Sequence, residues 1–118
     1  MDFDRLTVAL LVLRDDAPLL DSEADAALQD AHMAHLAQLH ADGHLMAAGP
    51  LLGAADEPLH GLSLLRVDPE RARELKQAEP AVLASRYRVK ILPWLVPAGA
   101  ANFAPARFPR SMAEASAD

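Results

Sequence analysis

Residues 6–14, LTVALLVLR, decide how this chain folds. The segment is rich in Leu and β-branched residues, and Asp15 and Asp16 follow it, so the pattern predicts a β-strand. Apolar residues occupy both alternating faces of the strand: Val8 and Leu10 lie on one, Ala9 and Leu11 on the other. A strand of this kind is expected to be buried on both sides, so the sheet that contains it needs a cover on each face.

Five more elements are predicted around this strand. Residues 22–25, SEAD, have the form of a helix capping box, and Gly43 suits the end of the same helix. Asp68 and Pro69 are typical of a second helix start. The predicted elements are a helix between Ser22 and Gly43, strands at 44–52 and 61–67, a helix at 70–78 and a strand at 87–92, closed by Pro93 and Trp94.

The order β-α-β-β-α-β predicts an α+β fold of the ferredoxin-like type. Its four-stranded antiparallel sheet carries both helices on one face. On the last strand, Tyr87, Val89 and Ile91 are expected to pack under the helices. The opposite face would meet water, although the first strand is apolar there. A second copy packed sheet to sheet is the simplest cover, so we expect a homodimer of the dimeric α+β barrel type.

Composition limits the classes of function. The 118 residues suit one domain, at residues 1–97, with a Pro- and Ala-rich tail or arm at 98–118. The net charge of −6 argues against nucleic-acid binding, no apolar run is long enough for a membrane span, and cytoplasmic localisation is expected. Residues 1–60 carry −9 and residues 61–118 carry +3, so the two halves could face each other within the fold or across a dimer.

His32 is the main candidate for chemistry. At 100° per residue it lies in the middle of the apolar stripe of the first helix, with His35 near the edge of the stripe. A titratable ring in that position needs a partner, either as a structural histidine or as a general acid/base facing a pocket. The i, i+3 spacing of His32 and His35 and the i, i+4 spacing of His40 and His44 would suit a metal site, but Gly43 interrupts the second pair. There is also no His-Glu-x-x-His motif and no cysteine, so neither a metal nor another cofactor is expected.

Other candidates surround this histidine in the predicted fold. Glu79, fixed by Pro80, could orient the imidazole, or it could be one more exposed acid at a helix end. Gly49 and Pro50 could bring backbone close to a ligand, or they could simply end a strand. Arg88, in a basic row with Arg86 and Lys90, could attract an anionic or phenolate substrate or protect a sheet edge. We expect His35, Gly49, Pro50 and Arg88 to bind substrate.

Residues 31–50, AHMAHLAQLHADGHLMAAGP, resemble the signature of YciI-like proteins, which carry the YCII-related domain. The closing KILPW at 90–94 is similar to the last strand of that family. The resemblance spans about residues 6–97 and implies a ferredoxin-like domain that dimerises through its sheet. It also implies a His-Asp pair at the active site. The histidine corresponds to His32, and the position of the aspartate is held by Glu79, which is one methylene longer. The Ala-Gly pair of the family falls near Ala84 and Ser85.

Family members resemble small lyases and isomerases of aromatic or quinone-like compounds. Our first hypothesis is therefore a small cofactor-independent enzyme of this kind, in which His32 is the general acid/base and Glu79 orients it. Two alternatives stay open: a non-catalytic dimer that binds a small ligand, and a cofactor-free monooxygenase of the dimeric α+β barrel type. In the tail, Phe103 and Phe108 stand among prolines, which suggests an arm that packs on the partner subunit near the pocket; a disordered end is the alternative.

Overall fold

The computed structural model describes residues 1–117. The predicted order of elements is confirmed, with two short helices added. The strands are β1 (Phe3–Leu13), β2 (Leu45–Pro50), β3 (Leu59–Leu65) and β4 (Tyr87–Pro97); the helices are α1 (Ser22–Ala41), α2 (Pro69–Gln77), α3 (Pro80–Leu83) and α4 (Met112–Ala115). None of the helices within residues 1–117 is both long and apolar enough to cross a membrane.

The four strands form one antiparallel sheet in the order β2-β3-β1-β4. The central position of β1 explains why its sequence is apolar throughout, because it has a strand on each side and side chains to cover on both faces. Ala9 lies opposite Ser63 on β3 and Ile91 on β4, and this register fixes which residues share a face. The chain therefore has the ferredoxin-like α+β fold predicted from the sequence.

The helices cover one face of the sheet. Ala9, Leu39, Leu45, Leu65 and Ala72 form the buried cluster between the two layers. The other residues that pack against this cluster are Leu36, Ala48, Val67, Leu75, Val89, Ile91 and Phe108. The predicted inward position of Val89 and Ile91 is thus confirmed.

The ends of α1 differ slightly from the prediction. Asp21, and not Ser22, is the N-cap residue, and its carboxylate accepts the Ala24 N–H at 2.8 Å. Gly43 has a φ of +84°, the left-handed conformation that glycine adopts without a Cβ penalty. The helix therefore has 20 residues and ends at the predicted turn, and His32 lies near its midpoint.

β4 is longer than the sequence indicates. Pro93 and Trp94 do not close it, since the strand continues to Pro97 and pairs with β1 from Phe3 to Leu13. β4 is an edge strand, so the missing N–H of Pro93 can face away from the ladder. The prediction had treated this proline as a strand terminator.

The face of the sheet opposite the helices has its own apolar cluster, formed by Leu6, Met46, Leu64 and Val96, with Ala101 packed against it. Beyond this cluster, Leu62, Leu92 and Trp94 remain 37–46% exposed. We call this surface the open face.

The C-terminal segment wraps around the domain. Ala101 packs on the cluster of the open face, whereas Phe108 packs on the helix-side core of the same chain. The Phe108 ring stacks on His40 with 4.1 Å between ring centroids, and His40 Nε2 lies 3.1 Å from the Ala106 carbonyl. The sequence had suggested an arm on a partner subunit; within residues 98–117 these contacts are made to the chain's own domain, and Asp118 lies outside the described residues.

Candidate active site

A cavity of about 410 Å³ lies between α1 and the sheet. Its walls are largely apolar and include Leu11, Leu28, Met33 and Leu36. Its polar contributors are Asp25, Gln29, His32, His60, Ser63, Arg86 and Tyr87. This volume and this mixture of many apolar with few polar groups are typical of sites for small ligands.

His32 and Glu79 meet at the cavity wall, as the sequence hypothesis required. His32 Nδ1 lies 2.5 Å from Glu79 Oε1. The Glu79 side chain is 0% exposed and the His32 side chain 18% exposed, so the imidazole lies between the buried carboxylate and the cavity. Nε2 is left as the ring nitrogen that can exchange a proton with a ligand.

Glu79 is held by local structure that its sequence position explains. It is the N-cap residue of α3, and its second carboxylate oxygen, Oε2, accepts the Val82 N–H at 3.0 Å. Pro80 occupies the first helical position, where its fixed φ suits a helix start. The alternative of an exposed acid at a helix end is therefore wrong, because both carboxylate oxygens have partners inside the protein.

The electrostatics favour an ionised Glu79. Burial works to raise the pKa of this carboxyl, but the hydrogen bond and charge of His32, the Val82 N–H and the charge of Lys76 outweigh it. The net result is a pKa below the usual 4.5. A carboxylate next to Nδ1 accepts a hydrogen bond from the N–H at that position and so fixes the tautomer of the ring.

A buried lysine lies behind this pair. Lys76 is 0% exposed, and its Nζ donates a hydrogen bond of 2.8 Å to Ser63 Oγ. Burial lowers the pKa of the ammonium from 10.5 to about 8, against the opposing effect of the Glu79 charge. Ser63 lines the cavity. Since its oxygen accepts from Lys76, its own hydrogen can be donated to a ligand.

The residues predicted to bind substrate are not all at the cavity. Gly49 and Pro50 line it. His35 is not part of the lining; its Nε2 is buried with no hydrogen-bond partner within residues 1–117, and burial followed by the charge of Lys76 lowers its pKa. Arg88 is exposed and lies opposite Val12, on the face away from the cavity. The structure does not bring Arg88 to this cavity, because its parity on β4 is opposite to that of Val89 and Ile91.

The sequence did not predict that three polar residues would meet at the cavity: His60, Arg86 and Tyr87. Tyr87 Oη lies 3.1 Å from His60 Nδ1 and accepts a hydrogen bond of 3.2 Å from Arg86 Nε. Parity alone placed Arg86 beside Arg88 on the open face. Arg86 nevertheless lines the cavity; it precedes the first residue of β4 and follows Ser85, whose φ of +60° ends α3. The signal in the sequence was the position of Ser85, which matches a glycine of the resembled family.

The C-terminal segment completes the cavity. Phe108, Pro109 and Met112 belong to its wall. The Met112 N–H donates to Asp30 Oδ1 at 2.8 Å, which fixes the start of α4 on α1. Within residues 1–117, no three histidine or carboxylate side chains are grouped so that they could hold a metal ion.

Fold and cavity together define a small ferredoxin-like α+β protein with a histidine-carboxylate pair at a pocket between α1 and the sheet. The sequence profile of the YCII-related domain matches residues 7–95. The chain therefore belongs to the YCII-related domain family, as its sequence suggested.

The chain is also similar in fold to the 5-chloro-2-hydroxyhydroquinone dehydrochlorinase of Burkholderia phenoliruptrix AC1100, whose structure is described as a complex with 2,5-dihydroxybenzoquinone. The two share 17% identity at a TM-score of 0.57, over 75% of this chain and 92% of the other. No curated protein matches the sequence.

Proposed function

We propose that this protein is a small enzyme of the lyase or isomerase class, with His32 as the general acid/base acting on a hydroquinone- or quinone-like metabolite. One observation carries the proposal: a fully buried Glu79 binds His32 Nδ1 and leaves Nε2 at the wall of an apolar cavity. A histidine that only stabilised the fold would not need a desolvated, ionised partner on one side and a ligand-sized space on the other.

The pair is suited to moving a proton in both directions. With Glu79 ionised, the Nδ1–H group donates a hydrogen bond to the carboxylate. The lone pair of Nε2 can then take a proton from a ligand. The imidazolium that forms is stabilised by the same carboxylate. Because α3 holds Glu79 and α1 holds His32, neither group has to move during the transfer.

The cavity matches a substituted ring. Its apolar walls can cover the two faces of a planar molecule, while Ser63 can donate a hydrogen bond to a ring oxygen. The charge of Lys76 behind Ser63 favours an oxygen that becomes negative during the reaction. These groups supply polar contacts at few points, as a small aromatic substrate with hydroxyl substituents requires.

A balanced reaction follows from these roles. His32 Nε2 removes the proton of a ring hydroxyl; the oxygen becomes a carbonyl, and the ring electrons take up a proton at carbon, delivered from the same nitrogen. The net change is an enol-to-keto isomerisation. If that carbon also bears a halide, His32 Nε2 then takes the proton of a second, conjugated ring hydroxyl; its oxygen becomes the second carbonyl and the halide leaves with its bonding electron pair, so that hydrogen halide is eliminated and a quinone forms. The similarity in fold to a dehydrochlorinase of a chlorinated hydroxyhydroquinone supports this class.

The test uses two reactions under anaerobic conditions. With 5-chloro-2-hydroxyhydroquinone we expect chloride release, and with hydroxyhydroquinone in D₂O we expect exchange of ring hydrogens above the spontaneous rate, followed by NMR. His32→Asn should lower the rate of whichever reaction is catalysed by 10²- to 10⁴-fold, the usual contribution of a positioned acid/base. His44→Asn is the matched control, because His44 lies outside the cavity wall, and its rate should be unchanged.

Two outcomes would overturn the proposal. One is a His32→Asn protein that folds and reacts as fast as wild type. The other is binding of both compounds without either reaction, which would identify a ligand-binding protein.

We also propose that the protein works as a homodimer packed through the open face. The exposed apolar side chains of Leu62, Leu92 and Trp94 support this, since they leave an apolar surface that a second copy could cover. Light scattering should give the mass of a dimer for wild type and of a monomer for Trp94→Glu. A monomeric wild type would remove the idea.

A further inference from the structure

A positively charged side chain at the cavity has no counter-ion among the described residues, 1–117. Arg86 is half-buried and lines the cavity, and none of the ion pairs among residues 1–117 includes it. Asp25 also belongs to the cavity wall but is exposed in the first turn of α1 and is not paired with Arg86. A partly desolvated guanidinium without a carboxylate is costly unless a ligand supplies one.

The orientation of Arg86 is set by its neighbours. Its Nε donates to Tyr87 Oη at 3.2 Å, and its guanidinium carbon lies 5.3 Å from the centre of the Tyr87 ring. Tyr87 is steadied in turn by His60 Nδ1 at 3.1 Å, with the two rings edge to face. The side chain is therefore positioned before any ligand binds, which lowers the entropy cost of binding.

The remaining donors define what can bind. With Nε used by Tyr87, the two Nη groups are left, and they make no hydrogen bond to another side chain within residues 1–117. Two parallel N–H groups match the two oxygens of a carboxylate and fit a single phenolic oxygen less well. Arg86 follows directly on the C-terminal turn of α3, in which Ser85 has a φ of +60° and the Arg86 N–H donates to the Ala81 carbonyl at 3.0 Å.

We propose that Arg86, held by Tyr87 and His60, is a binding subsite for a carboxylate on the substrate, so that the substrate is a carboxylated aromatic compound. This deepens the proposed function, on which it rests: His32 performs the proton transfer, and Arg86 selects the substrate and fixes its orientation. Arg86 is thus a specificity-determining residue of the same cavity.

The experiment compares two probes that differ in one carboxylate. Calorimetry under anaerobic conditions gives the Kd of 2,5-dihydroxybenzoate and of hydroquinone. Wild type should bind the carboxylate probe roughly 10- to 100-fold more tightly, the range expected for charge-assisted hydrogen bonds. Arg86→Met should remove this preference while the affinity for hydroquinone changes by less than about threefold. Equal affinity of wild type for the two probes would overturn the proposal.

Three further variants make the result specific. Arg88→Met removes the same charge two residues away on the opposite face of the sheet, so the preference should survive. Arg86→Lys keeps the charge without the planar guanidinium and should retain only a small part of the preference for the carboxylate probe. Full retention of the preference would mean that the charge alone determines it. Tyr87→Phe should weaken the preference severalfold, and no change would show that Tyr87 does not position Arg86.

Failure of this proposal can be told apart from failure of the proposed function. The binding measurement needs no turnover, and His32→Asn should keep the preference for the carboxylate probe. Loss of the reaction with the preference intact would leave the subsite standing. Catalysis by His32 without any preference would remove the subsite alone.

Discussion

Two polar clusters meet in one cavity, and they are built differently. His32 and Glu79 join a histidine to a carboxylate that is 0% exposed, with Lys76 buried behind it. Arg86, Tyr87 and His60 are all half-buried, and no carboxylate of the described chain neutralises the guanidinium. In the first cluster the charges balance inside the protein, whereas in the second a positive charge is left over.

The difference indicates a division of roles. A histidine with a buried carboxylate on one ring nitrogen keeps its other nitrogen for proton exchange, which suits chemistry. A cation that is positioned but not balanced gains most when an anion arrives, which suits recognition. The following changes should break or sharpen this contrast.

The largest effect is expected from Glu79→Gln. The amide keeps the size of the side chain but removes the charge that fixes the His32 tautomer, and loss of such a partner costs up to about 10⁴ in kcat in a related arrangement. We expect kcat to fall by roughly 10²-fold or more while the Kd for 2,5-dihydroxybenzoate stays nearly constant. Glu79→Asp keeps the charge, and its kcat should fall less than that of Glu79→Gln. A weakened Kd with unchanged kcat would reverse the two roles.

Lys76 makes the first cluster sensitive to alkaline pH. Its pKa is about 8 in the folded protein and 10.5 in the unfolded chain, so between these values the unfolded state binds the extra proton. The free energy of unfolding should therefore rise from pH 8 to 10.5, by up to about 3 kcal/mol. Urea denaturation should show this rise in wild type and not in Lys76→Met. Parallel profiles for the two proteins would contradict the assignment.

Phe108→Ala should affect both clusters alike. The ring stacks on His40 and covers part of the cavity, so its loss should cost about 1–2 kcal/mol of stability, less than a fully buried ring would. Both 2,5-dihydroxybenzoate and hydroquinone should bind severalfold more weakly, with the ratio of their Kd values preserved. Thermal unfolding and calorimetry check this, and a changed ratio would mean that Phe108 contributes to recognition of the carboxylate.

The smallest expected effect is on stability, from substitutions of Ser85 in the turn that precedes Arg86. Ser85→Gly relieves the left-handed backbone, but the more flexible unfolded chain offsets part of the gain, so we expect a stabilisation below about 1 kcal/mol. Ser85→Val should be destabilised, because a β-branched residue tolerates a positive φ poorly. Thermal unfolding of the pair is the measurement, and equal midpoints for glycine and valine would show that the turn can relax.

Periodicity predicted the fold well because burial enforces it. The doubly apolar segment at 6–14 had to be a central strand, and the alternation of Tyr87, Val89 and Ile91 had to point to the helices. The central position of His32 on its helix could be read for the same reason. Pro93 misled because whether a proline ends a strand depends on which edge it faces, and that is a property of the assembled sheet.

The candidate site was only half visible in the sequence. The partnership of His32 with Glu79 was suggested, but the burial of Glu79 depends on a short helix that it caps itself. Arg86 was placed in a basic row with Arg88 and Lys90, but it precedes the first residue of β4, so the alternation of that strand does not decide its position. His60 and Lys76 carry no local signal at all, since their partners lie 27 and 13 residues away in the chain.

The wall formed by Phe108, Pro109 and Met112 lies outside the family domain, which the chain matches over residues 7–95. His32, Glu79 and Arg86 lie within it. The chain thus has two parts: a family domain that holds the polar side chains of the cavity, and a C-terminal segment that completes the cavity wall. Substitutions at Phe108, Pro109 or Met112 would change the shape of the cavity, and those at Phe108 would also change the packing of the helix-side core. The segment beyond residue 97 is therefore the part of this chain to exchange in order to reshape the cavity while residues 7–95 keep their sequence.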